Sequence, residues 1–188
     1  MSSDELPQGP EATVRRLTPA LRDVLAGLRE GLVIADSVHR QYGWSARSDP
    51  HLFHHLARRE AVERLRHHAG QLDDEPHLGL PMSGLLIRPT PTDVVRVWYS
   101  EDAQTKAPDS ETGREFVTQP ATAPDLFTDF GEPLPMPAVC RTFVRWTAQD
   151  TTVTRFTLVR PIGISRGTVV PDWTVELVGG ANPLTPSP

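Results

Sequence analysis

One cysteine, Cys140, and one lysine, Lys106, serve the whole chain of 188 residues. A lone cysteine excludes an internal disulfide and any zinc site built on several thiolates. Free Cys usually behaves as a small hydrophobe, so a buried, reduced thiol is expected. With one lysine, nearly all positive charge is guanidinium, fixed in charge and fork-like in its donors. No apolar run approaches the roughly 18 residues that a membrane span needs, so no membrane partner is expected. The opening residues MSSDELPQGPE carry neither a basic n-region nor an apolar h-region, and the expectation is a cytoplasmic protein. A GxSxG elbow, an HExxH helix and Gly-rich phosphate or dinucleotide loops are also missing, with Gly84, Gly113, Gly131 and Gly163 standing isolated. No catalytic residue and no cofactor is therefore assigned.

Proline, by contrast, is plentiful at 19 residues and argues against an all-helical bundle. The formal net charge of −5 gives no support to bulk nucleic-acid binding. That charge is unevenly spread. From Arg40 to Gly70 six Arg face Asp49, Glu60 and Glu63; from Ser100 to Ala138 Lys106 and Arg114 face eight carboxylates.

Residues 1–13 read as a polar leader. Leu17, Leu21, Val24, Leu25, Leu28 and Leu32 then recur at helical steps. Thr18-Pro19 fits a cap followed by a first-turn proline, which predicts a helix from Pro19 to about Tyr42. Gly27 and Gly31 share one of its faces and suit close approach of another backbone. Asp49-Pro50 opens a second helix, His51 to Ala69, with Gly70 as its stop. Its apolar residues drift round the surface, so contacts on two sides are expected.

The strand signal is strongest in VCRTFVRWTAQDTTVTRFTLVR, Val139 to Arg160. Alternation places Cys140, Thr142, Val144 and Trp146 on one side, and Arg141, Phe143, Arg145 and Thr147 on the other. In the second run Phe156 and Leu158 oppose Val153, Arg155, Thr157 and Val159. A polar joint at Ala148-Gln149-Asp150 makes this an antiparallel hairpin. Leu85–Arg88 and Val94–Tyr99 form another hairpin around a Pro-rich loop, and Trp173–Val178 is a last strand. Between Ser100 and Pro137 the chain is acidic and Pro-rich, an uncommonly long connection. It reads as a loop pinned by Phe116-Val117 and Leu126-Phe127, with room for a short helix near Asp125 to Phe130. Residues 179–188 read as a tail. Helices first and strands after predict an α+β domain over 14–178: two N-terminal helices packed on an antiparallel sheet of about five strands.

Three clusters are candidate chemistry. All seven histidines lie between His39 and His77, and His51, His54 and His55 stand at i, i+3 and i+4 on the second helix. Two imidazoles on adjacent turns can ligate a metal, but Arg58, Arg59, Arg64 and Arg66 on the same helix repel a cation. Arg58 and Arg59 give that helix a basic side suited to phosphates; Glu60 and Glu63 weaken it and pair locally with Arg64 and Arg66. On the strong hairpin, Arg141, Phe143, Arg145 and Arg155 combine guanidinium and aromatic groups. Such a surface suits an acidic protein, a carboxylate or an RNA base.

Asp49-Pro50-His51, Gly84-Leu85-Leu86-Ile87-Arg88 and Val95-Arg96-Val97 resemble a loose group of small α+β proteins of high-GC bacteria. The resemblance carries no activity and no residue role. The first expectation is a non-enzymatic interaction or regulatory module with a protein partner. The alternatives are a toxin-like or RNA-processing protein and a metal-dependent hydrolase on His51, His54 and His55.

Overall fold

The computed structural model describes residues 9–45, 48–69, 85–90, 92–101, 104–118 and 139–178. Within them the elements run α1 (Pro10–Gln41), α2 (Pro50–Ala69), β1 (Leu85–Thr90), β2 (Asp93–Tyr99), α3 (Glu111–Thr118), β3 (Cys140–Gln149), β4 (Thr152–Ser165) and β5 (Thr168–Val178).

The first helix begins at Pro10, not Pro19. Pro19 inside a helix loses a backbone bond and crowds the preceding turn, at ~3 kcal/mol. Burial outweighs that. Leu17 is fully buried and Val14 nearly so, and each apolar side chain removed from water contributes ~1.5–3 kcal/mol. Thr18 does not cap; its hydroxyl donates back to the Val14 carbonyl at 2.7 Å. Residues 10–13, expected in the leader, are therefore helical, and Thr13 is fully buried. The second helix starts as its sequence predicts. Asp49 Oδ1 accepts from the Leu52 N–H at 3.0 Å, with Pro50 in the first turn.

The two helices touch through small residues. Gly27 lies against Ala61 and Gly31 against Ala57, where an added Cβ at Gly31 would sit 2.6 Å from the Ala57 Cα. Close backbone approach is thus the role of both glycines. Arg64 of α2 reaches back to Glu30 (2.5 Å) and Asp23 (3.9 Å) of α1.

The sheet order is β1-β2-β3-β4-β5. It is mostly antiparallel, as expected for this α+β fold, but β2 and β3 run parallel. A parallel pair needs a crossover, and the acidic excursion supplies it. Its middle is α3, whose Phe116 and Val117 are buried. Thr105 and Ala107 bond to the start of β5: Val169 N–H donates to the Thr105 carbonyl and Ala107 N–H to the Gly167 carbonyl, both at 2.9 Å. The helix considered near Asp125 to Phe130, the Gly70 stop and the 179–188 tail lie outside the described residues.

Two turns close the later hairpins. Asp150 takes a φ of 52° between β3 and β4, and Arg166 and Gly167 take 49° and 78° between β4 and β5. In the second turn both central residues, Arg166 and Gly167, have positive φ, the type I′ signature that matches strand twist. The β3–β4 register slips between Thr147 and Ala148. That bulge puts Val153 on the same face as Phe156, where strict alternation had separated them.

One sheet face packs on α1 and α2. Leu85, Ile87, Val95, Val97, Val144, Trp146, Val153, Phe156, Leu158 and Leu177 join Leu17, Leu21, Val24, Leu28 and Phe53 in the main core. The other face is not a bare wet surface. Val94, Phe143 and Val159 form a second core with Phe116, Val117 and Val169. Tyr99 packs against the main core and Trp98 against the second.

Candidate anion-binding face

Alternation along the strands decides which side chains share the second face. Arg88 comes from β1, Arg96 and Trp98 from β2, Arg141, Phe143 and Arg145 from β3, and Arg155 from β4. Register sets Arg96 beside Phe143, Trp98 beside Arg145, and Arg155 beside Thr147. Arg141 and Arg145 therefore flank Phe143 along β3, two residues to either side. Phe143 is fully buried; it props the face from beneath and does not present itself to a partner.

Arg96 is the exceptional member. It is 5% exposed, and its Cζ lies 5.0 Å from the Phe116 ring centroid and 5.7 Å from that of Trp98. Trp98 in turn packs on Phe143 at 4.6 Å between ring centroids. The Arg96 Nε has no hydrogen-bond partner among the described residues. A buried ion without a counter-charge costs several kcal/mol, whereas a cation–π contact returns ~0.5–2 kcal/mol. The rings offset part of that cost. Burial lowers the Arg96 pKa accordingly.

The neighbouring guanidiniums feel one another. Burial, then Arg88, lowers the pKa of Arg141; burial, then Arg155, lowers that of Arg145, with Glu176 opposing. Arg88 with Arg141, and Arg155 with Arg145, thus place like charges close together on one face.

Next to Arg96 the face opens into a recess of about 660 Å³ at the carboxyl end of β2. Arg96, Trp98, Glu101, Lys106, Pro108 and Asp109 line it, among others. Its far wall leads into α3, where the Ser110 hydroxyl accepts from the Gly113 N–H at 3.2 Å.

The histidine cluster separates. His51 and His55 are exposed, whereas His54 turns inward and stacks on Tyr99 at 3.5 Å between ring centroids, edge-on to Trp146. Burial, with Arg58 and His51 adding to it against Glu101, pushes the His54 pKa down to about 4. Among the described residues no three His, Cys, Asp or Glu side chains gather as metal ligands. Arg58 is half-buried and Arg59 exposed on α2. That helix packs on the first sheet face, so neither joins Arg141, Arg145 and Arg155 in one surface.

Cys140 is buried, as its strand position predicts. Burial and the adjacent Asp93 raise its pKa, which keeps it a thiol and not a nucleophile. No helix among the described residues is long and apolar enough to cross a membrane.

Comparison with family models finds no match, and neither curated proteins nor solved structures give one. Function therefore has to be argued from this face. The sequence reading missed Arg96 and Trp98 as members of it. The signal was present: in Val94-Val95-Arg96-Val97-Trp98-Tyr99 a lone charge interrupts an apolar strand, and period two puts it on the Trp98 side.

Proposed function

We propose that the chain is a non-enzymatic protein-interaction module that takes an acidic segment of a partner on the second sheet face. The observation that carries this reading is the gathering of Arg88, Arg96, Arg141, Arg145 and Arg155 on one side of one sheet. Guanidinium forks bind carboxylates in two-point, charge-assisted pairs. Dehydrated arginines have already lost part of the hydration that binding would otherwise strip away.

RNA is the weaker occupant. Base recognition on such a face stacks successive bases on accessible aromatic rings; Phe143 is buried, which leaves Trp98, half-buried beside the recess, as a single ring for stacking. The dispersal of His51, His54 and His55 leaves the hydrolase reading without a metal site among the described residues.

The test is fluorescence anisotropy with a labelled Glu/Asp-rich octapeptide. Binding should weaken with salt, and Arg145→Glu/Arg155→Glu should lower affinity at least about tenfold, roughly one charged hydrogen bond. Equal affinity in the double variant would overturn the reading. Tight binding of single-stranded RNA that the same substitutions abolish would replace the protein partner with RNA.

A further inference from the structure

The recess beside Arg96 has a chemistry of its own. Its inner end is a guanidinium 5% exposed, pressed against Trp98 and Phe116, with an Nε that no described group accepts from. Such a group is an anchor prepared for one acceptor. The remaining walls limit what can bring it. Trp98 and Pro108 offer apolar surface, and Asp109 and Lys106 bring one charge of each sign. Glu101 also lines the space, but its carboxylate already accepts from the Tyr99 hydroxyl at 2.7 Å. With Lys106 and Asp109 offsetting each other, Arg96 is left to neutralise one negative charge, which favours a monoanion over a phosphate dianion. A cavity of about 660 Å³ holds more than a bare ion and falls within the range of small-molecule pockets.

We infer that the recess at the carboxyl end of β2 binds a small monocarboxylate on a flat apolar body, the carboxylate on Arg96 and the body along Trp98 and Pro108. This goes beyond the partner surface proposed above and does not need it. Arg145 and Arg155 do not line the recess.

The same carboxylate chemistry has two sources, a free small molecule and an acidic side chain of a bound protein. The experiment separates them. The full chain is titrated with hippurate by calorimetry and by the shift of the Trp98 indole N–H. Neutral hippuramide, phenyl phosphate and the acidic octapeptide are run beside it. Expected is saturable hippurate binding that moves the Trp98 signal, with hippuramide and phenyl phosphate each at least about tenfold weaker, as loss of a charge-assisted pair predicts. Arg96→Met should lose hippurate by at least about the same factor while its melting temperature stays level or rises, because a buried ion has been replaced by an apolar chain of similar length. A guanidinium kept only for its ring contacts would give the reverse, a lower melting temperature. Arg96→Lys, which keeps the charge and loses the fork, should fall between. Arg145→Glu/Arg155→Glu should leave hippurate within about twofold, a change too small for a lost charged contact, so failure of the partner surface and failure of the recess are read separately. The inference is overturned by absence of hippurate binding, by unchanged binding in Arg96→Met, or by phenyl phosphate binding as tightly as hippurate. It is also overturned if the octapeptide alone, and not hippurate, depends on Arg96.

Discussion

Arg16 of α1 and Asp93 of β2 meet in a two-point ion pair, Nε to Oδ2 at 2.7 Å and Nη2 to Oδ1 at 2.8 Å. The Asp93 side chain is fully buried and the Arg16 side chain 21% exposed. Thr90 adds a hydroxyl donor to the same carboxylate at 2.6 Å. The pair joins the first helix to the head of a central strand, 77 residues away in sequence. The hydrogen bond from Arg16 to Asp93 raises the Arg16 pKa against the opposing effect of burial.

Breaking that pair should be costlier than deleting it. Arg16→Met leaves a dehydrated carboxylate without its cation and should destabilise by ~3–5 kcal/mol in urea unfolding. Arg16→Met/Asp93→Leu removes both charges and should recover most of the loss. A double variant no more stable than Arg16→Met would mean that the carboxylate's other contacts, and not the unpaired charge, set the penalty.

Gly27→Ala and Gly31→Ala decide between two opposed effects. On helix propensity alone each should stabilise by ~1 kcal/mol. Each new methyl, however, would press on the backbone of α2 at Ala61 or Ala57. Neither backbone can yield without moving the helix, and overpacking costs ~1–3 kcal/mol. Both variants should therefore unfold at lower urea, Gly31→Ala also crowding the Glu60 Cβ. A gain in stability at either position would show that the helices separate freely.

Acid should loosen the α2–sheet contact through His54. Its folded pKa of about 4 lies below the ordinary value of 6.5. The unfolded chain thus binds the proton first. Stability from the neutral ring is fully present above pH 6.5, declines as pH falls and is gone below about pH 4. For a half-buried ring the loss is on the order of 2 kcal/mol, below the full shift because water screens part of it. His54→Phe should flatten the unfolding midpoint against pH across that window. An unchanged slope would place the titration elsewhere.

How far the sequence could be read differs by element. Leu17 through Leu32 announced one helix because they recur on one buried face, and the Cys140–Trp146 alternation announced one strand because Cys140, Thr142, Val144 and Trp146 are buried on one side while Arg141 and Arg145 stand half-buried on the other. The start of α1 was misread because Pro19 carries a strong local signal, which burial of Val14 and Leu17 overrides. Strict alternation failed at Val153, since one bulge residue reverses the inside and outside of everything on its far side. The parallel β2–β3 pairing was hidden in a stretch of low strand signal. Arg141, Arg145 and Arg155 were legible as one face, but Arg96 was not. Its partners Trp98, Phe143 and Phe116 come from three separate elements, and no local pattern brings them together.

That assembly gives α3 a distinctive mode of failure. Eight residues are too few for an isolated helix in water, so α3 exists by virtue of what Phe116 and Val117 bury. Phe116→Ala would ordinarily cost ~3–5 kcal/mol at a core site. Here the same change lets water reach Arg96, whose burial is unfavourable even with the ring contact that offsets part of it. Relief at Arg96 should cut the net loss to about 2 kcal/mol, roughly the worth of rehydrating a charged group in a partly open site. The loss should also be local. Hydrogen exchange at residues 111–118 should accelerate while α1 and the β3–β4 ladder keep their protection, as expected when one small cooperative unit opens before the whole. Uniform acceleration across α1 and β3 would instead make the second core as essential to the fold as the first.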